Sequence, residues 1–483
     1  MSAATPEASV PTAVVVGGGV SGLLAALELA KTGRHVTVLE ATEAWGGCVG
    51  SHVVGGLTLD SGAESFATRS SAVADLAAEL GIAGRIVAPH PGGAWVQLPE
   101  GARELPKTGV LGIPANPWDP EVRRTLGLAG SLRASLDRFL PASAGTRAGI
   151  TSVSALVRQR MGRRVLERLV EPVVGGVHSA DPALLDVDMV APGLRDGIRA
   201  HGSLAAAVAA QRRGTPAQGS KAGSAVAGLH GGMHTMISAL VAELRRRGVT
   251  LLTGTPAGAV ARTADGWRVS AGDQTYDAGL LVVALDGPSA VGLLQDAVPD
   301  LGGHRPAAGP DVKLVTLVVD LPELDRRPRG TGILVAPQTP GIEAKALTHA
   351  TAKWDWLAAA AGPGTHVVRL SYGRGEQLPE DGPAAPVGAG SREGGHALLD
   401  AALRDASALL TVPVTADDVL DWDVVSWGGV LPFAAVGHRQ RVAEVRRVCA
   451  ADGRLVMVGG WLAGNGLAAV VADTKKQIAD SLH

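Results

Sequence analysis

Three glycines near the start of the sequence have the spacing that binding of a dinucleotide phosphate requires. The segment GGGVSG supplies Gly17, Gly19 and Gly22 in the pattern G-x-G-x-x-G. In this pattern the first glycine permits a tight turn out of a strand, the second lets a diphosphate approach the backbone, and the third lets helix and strand pack closely. The diphosphate then lies at the helix N-terminus, where unpaired N–H groups and the helix dipole favour negative charge.

The residues around these glycines predict the strand–helix–strand unit that must position them. Residues 13–16 form a short apolar run typical of a buried parallel strand, and residues 36–39 predict a second one. Glu40 follows Gly22 by 18 residues. A carboxylate there can accept hydrogen bonds from ribose hydroxyls and would repel a 2′-phosphate. The unit therefore favours NAD or FAD over NADP, and by itself it does not distinguish the first two.

Length and composition limit the remaining function classes. The 483 residues predict two or three domains. Lys plus Arg number 44 and Asp plus Glu 46, which argues against a nucleic-acid scaffold because such proteins carry a basic excess. With two cysteines and no zinc spacing among the histidines, neither a disulfide framework nor a metal is expected. The sequence contains no signal-peptide pattern and no long apolar run, so we expect a cytoplasmic location without a transmembrane segment. Peripheral membrane contact stays open.

Apolar spacing divides the rest of the chain into a helical part and parts that contain strands. Residues 120–214 are mainly helical in pattern, with the clearest stretches at 122–140 and 153–173. Strands are predicted at 249–252, 280–284, 313–321, 366–372 and 454–458. A terminal helix follows the last of them.

Several separated motifs, in order along the chain, resemble the protoporphyrinogen/coproporphyrinogen III oxidase family within the amine-oxidase-like flavoproteins. Trp45-Gly46-Gly47 and Asp60-Ser61-Gly62-Ala63-Glu64-Ser65-Phe66 resemble the start of its FAD-binding domain. Further similar segments lie at 169–182, 228–240, 353–356, 369–374, 431–438 and 459–471. The chain is most similar to the coproporphyrinogen III oxidases of Gram-positive bacteria, and the resemblance covers nearly its whole length.

The resemblance implies FAD as the cofactor and a six-electron oxidation of coproporphyrinogen III to coproporphyrin III in heme biosynthesis. Molecular oxygen would accept the electrons, two at a time, and be released as hydrogen peroxide. Oxidation of protoporphyrinogen IX is the close alternative. An amine oxidase or a desaturase-like flavoenzyme, and a flavoprotein that binds porphyrin without turnover, are the alternatives from other classes.

The family's cofactor contacts can be carried over residue by residue. The resemblance implies that Gly17, Gly18, Gly19, Val20, Ser21 and Gly22 bind the diphosphate and that Glu40, beside Ala41, binds the ribose. It implies that Trp45, Gly46, Gly47, Gly62, Ala63, Glu64 and Ser65 surround the stretch from diphosphate to flavin. Val260 would contact adenine, and Gly460, Asn465, Gly466 and Leu467 would lie near the isoalloxazine.

Two positions depart from the family pattern. Cys48 stands close to where the family commonly has a basic residue, and Phe433 stands within a segment that often reads Pro-Gln-Tyr. These departures leave room for an atypical member or for one of low activity. Cys48 has no second cysteine nearby in sequence, so a small buried thiol is expected rather than redox chemistry.

Arg69, His178, Lys353 and Arg369 are the candidates for substrate binding. An arginine can bind a propionate carboxylate through two parallel hydrogen bonds, and a histidine can carry a proton near neutral pH. Each candidate also has an ordinary structural interpretation. Arg69 would be solvated at a helix start, His178 would be a structural histidine, and Lys353 and Arg369 would be strand-edge charges in water.

Trp354 and Trp356 alternate along the sequence. The alternation predicts that both lie on one face of a sheet. Packing in the core is the expected role, and stacking on a macrocycle is the alternative.

The predicted fold class is α/β, with a Rossmann-type FAD-binding domain, a mixed-sheet substrate domain and an inserted helical lobe. The FAD-binding domain is expected at 12–88, 221–290 and 443–483, the substrate domain at 89–110 and 291–442, and the helical lobe at 111–220. The substrate cavity is expected where the three meet, because ligand sites often lie at domain interfaces.

Overall fold

The computed structural model of the chain describes residues 11–106, 109–147, 152–178, 180–213, 225–373, 395–429, 435–464 and 466–482. The strands, in chain order, are β1 (Thr12–Val16), β2 (His35–Leu39), β3 (Ser51–Val54), β4 (Leu57–Asp60), β5 (Phe66–Ala67), β6 (Ile86–Val87), β7 (Trp95–Leu98), β8 (Gly101–Glu104), β9 (Val226–Leu229), β10 (Thr250–Leu252), β11 (Ala259–Arg262), β12 (Trp267–Ala271), β13 (Gln274–Ala278), β14 (Leu280–Val283), β15 (Val312–Asp320), β16 (Gly332–Val335), β17 (Ala346–His349), β18 (Thr365–Tyr372), β19 (Val419–Trp427) and β20 (Leu455–Met457).

The helices are α1 (Val20–Lys31), α2 (Ala72–Glu79), α3 (Pro120–Ser135), α4 (Val153–Arg160), α5 (Arg163–Val165), α6 (Glu171–His178), α7 (Val187–Val190), α8 (Leu194–His201), α9 (Leu204–Arg213), α10 (His234–Arg246), α11 (Gly287–Leu294), α12 (Ala350–Lys353), α13 (Asp355–Ala361), α14 (His396–Leu410), α15 (His438–Asp452), α16 (Gly460–Ala463) and α17 (Leu467–Asp480). Short 3₁₀ segments lie at Ala83–Arg85, Val110–Gly112, Leu136–Phe139, Pro299–His304, Pro322–Arg326 and Ala416–Asp418, and Leu166–Val170 is π-helical.

A five-stranded parallel sheet has the strand order β10-β2-β1-β14-β20. Successive side chains of β1 point to opposite faces of this sheet, and each face packs against its own apolar core. Ala13 and Val15 pack on one side of the sheet, and Val14 and Val16 pack on the other. Both faces are therefore covered, which explains why the strand is an unbroken apolar run rather than an alternating one. The predicted strand–helix–strand unit is confirmed.

Helix α1 fixes the position of the glycine turn. It begins at Val20, directly after the carboxyl end of β1, and packs between the sheet and helices α10 and α17. Leu23, Leu24 and Leu27 are fully buried in that contact. The apolar spacing seen in the sequence is thus the spacing of a helix covered on nearly every side.

A second, seven-stranded sheet has the order β19-β15-β18-β17-β16-β7-β8. Its pairs are antiparallel except for β16 with β7, which run parallel. Leu317 and Val319 face a core shared with α14, whereas Val318 faces the β3–β4 hairpin and α13. The predicted α/β fold class with a mixed sheet is confirmed.

The helices between α3 and α9 share a separate apolar core. Val122, Val157, Leu169 and Ile198 are among its buried members. Arg160 is fully buried beside this core, where it pairs with Asp137. Within the ranges that the structure describes, no helix is long and apolar enough to cross a bilayer.

Three sequence predictions of local structure are wrong. Trp354 and Trp356 do not lie on a strand, because β17 ends at His349 and the chain continues into the short helices α12 and α13. An alternation of two tryptophans is too short to distinguish a period of 2.0 from one of 3.6. The helix predicted at 122–140 is interrupted at Gly127, whose φ of 71° and ψ of 168° are not helical. The helix predicted at 153–173 is likewise interrupted at Gly162, with a φ of 91° and a ψ of 174°.

Candidate active site

The turn after β1 holds two glycines that no other residue could replace without a clash. Gly17 has a φ of +106°, and a Cβ there would lie 2.6 Å from the carbonyl oxygen of Ala284. A Cβ on Gly22 would overlap the carbonyl oxygen of Gly17, one turn below. The first and third glycines of the pattern are therefore required by strand and helix packing, as the sequence predicts.

Gly19 is different, because the space in front of it is open. A Cβ there would have no neighbour within 4 Å except the carbonyl oxygen of Gly46, at 4.0 Å. Gly19 is also the residue before α1, and it provides no side chain to cap the first N–H groups of that helix. Uncapped N–H groups beside an open, glycine-lined space suit a diphosphate, so the residues present fit a dinucleotide cofactor. Val20 and Ser21 begin the helix and are buried.

A second glycine turn packs directly on the first. The Gly46 N–H donates to the carbonyl oxygen of Gly18 over 2.9 Å, and Gly19 and Gly46 form a parallel bridge. The ring of Trp45 covers Gly18, since a Cβ on that glycine would lie 2.5 Å from the ring. Trp45, Gly46 and Gly47 are thus brought beside the phosphate turn that the sequence predicts.

The Glu40 carboxylate stabilises the glycine turn through hydrogen bonds. Its Oε2 accepts a hydrogen bond from the Gly18 N–H over 2.6 Å, and its Oε1 accepts from the N–H and the hydroxyl of Thr42, each over 2.8 Å. The sequence predicts a ribose ligand but not this bracing. The two functions are compatible, because each carboxylate oxygen can accept more than one hydrogen bond. Ala41 is exposed next to it.

The segment from Asp60 to Ser65 is held against the second glycine turn. The Ala63 N–H donates to the carbonyl oxygen of Cys48 over 2.9 Å, and a Cβ on Gly62 would overlap that same oxygen. Burial raises the pKa of the Cys48 thiol to about 11, so the thiol stays protonated and unreactive at neutral pH. Cys48 is half-buried beside Trp427, so the thiol is less completely covered than the sequence predicts.

Asp60 links this segment to α10, a contact that the sequence does not predict. Its carboxylate accepts from the Met233 N–H over 2.9 Å, and from the His234 N–H and Nδ1, both over 3.0 Å. An acidic residue at the start of a helix satisfies free N–H groups and complements the helix dipole. The Gly-Gly turn before α10 was the only sequence signal that such a cap was needed.

Glu64, Lys353 and Arg369 form a cluster of charges where the segment after β4 meets β18 and the end of α12. The Glu64 carboxylate pairs with the Lys353 ammonium and, over 3.2 Å, with the Arg369 guanidinium, and each of the three side chains is 14% exposed. Burial raises the pKa of Glu64, but the attraction of Lys353 and Arg369 outweighs it and holds the pKa below its usual value. The interpretation of Lys353 and Arg369 as strand-edge charges in water is wrong.

The two cations of this cluster differ in how many hydrogen bonds they already make within the protein. Arg369 lies on the interior strand β18 and also donates to the carbonyl oxygens of Asp60 and Gly62, over 3.1 and 2.9 Å. Lys353 ends α12 and lies 5.0 Å from the ring centroid of Trp354. An ammonium has three N–H donors, so Lys353 can bind another acceptor while it stays paired with Glu64.

The other predicted site residues are less closely grouped. Arg69 is exposed before α2, which agrees with its interpretation as a solvated residue. Val260 lies on β11, next to the parallel sheet, and its side chain packs with Leu39 and Val14. His178 ends α6, and its side chain lies outside the described residues, as does the whole of Phe433.

Two glycines near the C-terminus stand at the starts of the short helix α16 and the long helix α17. Gly460 begins α16, and Gly466, with a φ of +129°, directly precedes α17, which begins at Leu467. Helix α17 packs against α1, so this segment is joined to the helix that carries the glycine turn. Asn465 lies outside the described residues.

The arrangement agrees with comparisons to known proteins. The family described as "Flavin containing amine oxidoreductase" matches residues 20–470. A coproporphyrinogen III oxidase from Mycobacterium leprae is 30% identical over 473 residues, 96% of each chain. Another from Propionibacterium freudenreichii is 28% identical, over 97% of this chain and 90% of its own. The crystal structure of an Exiguobacterium protein superposes with a TM-score of 0.79 at 24% identity, over 98% of this chain and 99% of that one.

The match runs from α1 through β20 to the first residues of α17, and the predicted flavin cofactor, FAD, is confirmed with it. The chain belongs to the flavin containing amine oxidoreductase family and, within it, to the group that includes the coproporphyrinogen III oxidases.

Proposed function

We propose that the chain oxidises coproporphyrinogen III to coproporphyrin III in heme biosynthesis, with FAD as cofactor and molecular oxygen as the final acceptor. Six hydrogens leave the substrate in three two-electron rounds, and three molecules of oxygen become three of hydrogen peroxide. The observation that carries the proposal is the similarity to coproporphyrinogen III oxidases, which for the Mycobacterium leprae protein extends over 96% of this chain. A cytoplasmic location remains part of this proposal.

Bound FAD supplies the acceptor for each electron pair; the chain supplies its binding and its electrostatic surroundings. We assign the diphosphate to the open space at Gly19 and the N-terminus of α1, and the ribose to Glu40. The support is the absence of a side-chain cap on α1 and the free capacity of the Glu40 carboxylate. The assignments of Val260 to adenine and of Gly460, Gly466 and Leu467 to the isoalloxazine rest on the family resemblance.

For the substrate we propose Lys353 as a ligand of a propionate group. Its side chain is 14% exposed, and its ammonium keeps two N–H donors beyond its pair with Glu64. An anionic group would complete the balance of charge in a cluster of two cations and one carboxylate. Arg369 acts differently. It holds the backbone at Asp60 and Gly62, so it is a positioning residue.

The first test is aerobic turnover of coproporphyrinogen III by the purified, FAD-supplemented chain, followed by porphyrin fluorescence and peroxide release. Protoporphyrinogen IX is measured beside it, because the two substrates differ in carrying four propionates against two. Conversion above the non-enzymatic rate, faster for coproporphyrinogen III and with peroxide formed, is expected. Preference for protoporphyrinogen IX would replace the substrate. Tight porphyrin binding without turnover, in protein with a bound-flavin spectrum, would overturn the proposed oxidation.

A further inference from the structure

A buried histidine connects the start of α15 to the short helix α16. His438 is 1% exposed, and its Nε2 lies 2.6 Å from the carbonyl oxygen of Trp461, the second residue of α16. A carbonyl oxygen can only accept, so Nε2 carries the proton and donates to it. Helix α16 has four residues, Gly460–Ala463, and so short a helix leaves most of its carbonyl groups to partners outside it. The hydrogen bond from His438 therefore supports a helix that is too short to satisfy its own carbonyl groups.

The surroundings of the other ring nitrogen favour the neutral form of His438. Nδ1 lies 3.5 Å from a guanidinium nitrogen of Arg441, where an unprotonated ring nitrogen can accept and a protonated one would meet a like charge. Burial, with a smaller effect of Arg441, lowers the pKa of His438, and the Trp461 carbonyl oxygen and Asp186 oppose that shift only in part. The neutral ring, with its proton on Nε2, makes a directional hydrogen bond rather than an ion pair.

The start of α15 is itself held from the helical part of the chain. Gly437, with a φ of +84°, directly precedes the helix, and its N–H donates to Oδ2 of Asp186 over 3.1 Å. The other carboxylate oxygen of Asp186 accepts from the Asp188 N–H over 2.9 Å and so caps α7. The position of His438 is therefore fixed by α7 and α15, independently of α16.

The segment that His438 supports leads directly into α17. The Trp461 side chain is 5% exposed and packs in the core on one side of the parallel sheet. Gly464 ends α16 and Gly466 precedes α17, and both have a positive φ. Glycine backbones are the least restrained of all, so a connection built on them needs support from neighbouring elements. The hydrogen bond to the Trp461 carbonyl oxygen is such a support.

We propose that His438 is a positioning residue for the isoalloxazine, because it holds α16, and through it the start of α17, by the Trp461 carbonyl oxygen. The inference rests on the proposed function, in which Gly460, Gly466 and Leu467 lie near that ring. The N-terminus of a helix carries partial positive charge, and the electrons that reduce a flavin increase its negative charge. A well-placed α17 therefore stabilises the reduced cofactor more than the oxidised one. His438 acts through α16, so it is not a catalytic residue.

The test compares two amides of different reach at position 438. The amide nitrogen of His438→Gln comes close to the place of the histidine Nε2 and can still donate to the Trp461 carbonyl oxygen, whereas the shorter amide of His438→Asn ends near the place of Nδ1 and cannot. The midpoint potential of the bound FAD is measured by equilibration with redox dyes, without substrate. His438→Asn should lower the preference for the reduced cofactor about tenfold, which lowers the potential by about 30 mV for a two-electron couple. His438→Gln should keep the potential of the unaltered chain.

Trp267→Phe is the matched control for a lost hydrogen bond. The Trp267 indole N–H, on β12, donates to the carbonyl oxygen of Arg454 over 2.8 Å, and its ring packs in the same core as Trp461. The variant loses a buried bond to a backbone carbonyl without touching α16, so its flavin potential should stay unchanged even if its thermal midpoint falls. If His438→Asn does not retain FAD, His438→Met, which fills the volume of the ring without a donor, takes its place.

An equal potential in His438→Asn and the unaltered chain, with both folded and loaded with FAD, would overturn the inference. So would an equal shift in His438→Asn and either His438→Gln or Trp267→Phe. The potential is measured without a porphyrinogen, so the two proposals can fail separately. A lowered potential in a chain that does not turn over coproporphyrinogen III would support the role of His438 and refute the oxidation, and turnover with an unchanged potential would do the reverse.

Discussion

Replacement of Gly19 by alanine distinguishes a glycine needed by the cofactor from one needed by the fold. Gly19 has a φ of −71° and a ψ of 179°, a conformation open to any residue. The added methyl would have only the Gly46 carbonyl oxygen within 4 Å, at 4.0 Å. The protein without cofactor should therefore fold as before, and a small gain in stability is expected from the reduced freedom of the unfolded chain.

The methyl would fill the open space where the diphosphate is assigned. A hydrogen bond to a charged group contributes about 1.5–3 kcal/mol. Displacement of the diphosphate by one methyl, with loss of one such bond from the N-terminus of α1, should raise the Kd of FAD about 10- to 150-fold. The first glycine of the pattern and the third would behave differently, because a Cβ at Gly17 or Gly22 meets backbone oxygens and should destabilise the fold itself.

The assay is flavin fluorescence titration of the cofactor-depleted protein, with circular dichroism of the same samples. Gly84→Ala is the matched control. Gly84 is exposed in the 3₁₀ segment Ala83–Arg85, and a Cβ there would have no neighbour within 4 Å. Its Kd should equal that of the unaltered chain. Equal FAD affinity in Gly19→Ala and Gly84→Ala, with both folded, would refute the assignment of the diphosphate to this turn.

Three further predictions concern titratable side chains. Glu64→Gln leaves two buried cations without a counter-charge and should lower the free energy of unfolding by about 3 kcal/mol in denaturant titration. Because the folded pKa of Glu64 lies below its usual 4.5, its contribution is present above that pH and lost on acidification, so the variant's stability should fall less steeply below pH 4.5. Lys353→Met leaves the Glu64–Arg369 pair in place. It should raise KM for coproporphyrinogen III about tenfold with little change in kcat, which is the loss expected for one charged hydrogen bond. An unchanged KM would show that Lys353 does not bind the substrate. Burial, with His366 and Arg327 nearby, lowers the pKa of His349 to about 3, so its neutral form stabilises the fold above pH 6.5 and this stability is lost as pH falls toward 3. His349→Gln should reduce the slope of unfolding free energy in that range by about 1.4 kcal/mol per pH unit, and an unaltered slope would contradict the assignment.

The parts of the molecule that the sequence predicts are those whose signals are local. The strand–helix–strand unit around Gly17 follows from apolar periods and glycine spacing within 30 residues, and the structure agrees closely. The bracing of the turn by Glu40 was missed because its carboxylate bonds an N–H that lies 22 positions earlier. The division of the chain into domains stays a prediction.

The charge cluster shows most clearly what sequence patterns could not provide. Glu64 and Lys353 are 289 positions apart, and no local period relates them. The sequence indicates that Lys353 and Arg369 belong to a substrate-like region, but their common partner comes from the distant segment between β4 and β5. The short helices around Trp354 were missed for a local reason, because two tryptophans are too few residues to define a period.

The order of strands in the parallel sheet has a consequence for synthesis of the protein. Strands β1 and β2 leave the ribosome early, whereas β20, at one edge of the same sheet, follows about 400 residues later. At about 5–20 residues per second that interval is about 20–80 s. Once β14 has been made, its edge stays open to solvent and to other chains until β20 covers it, and the face of α1 stays open until α17 covers it. We expect the nascent protein to depend on chaperones over this interval, and the cofactor turn to become fully supported only after α17 has been made.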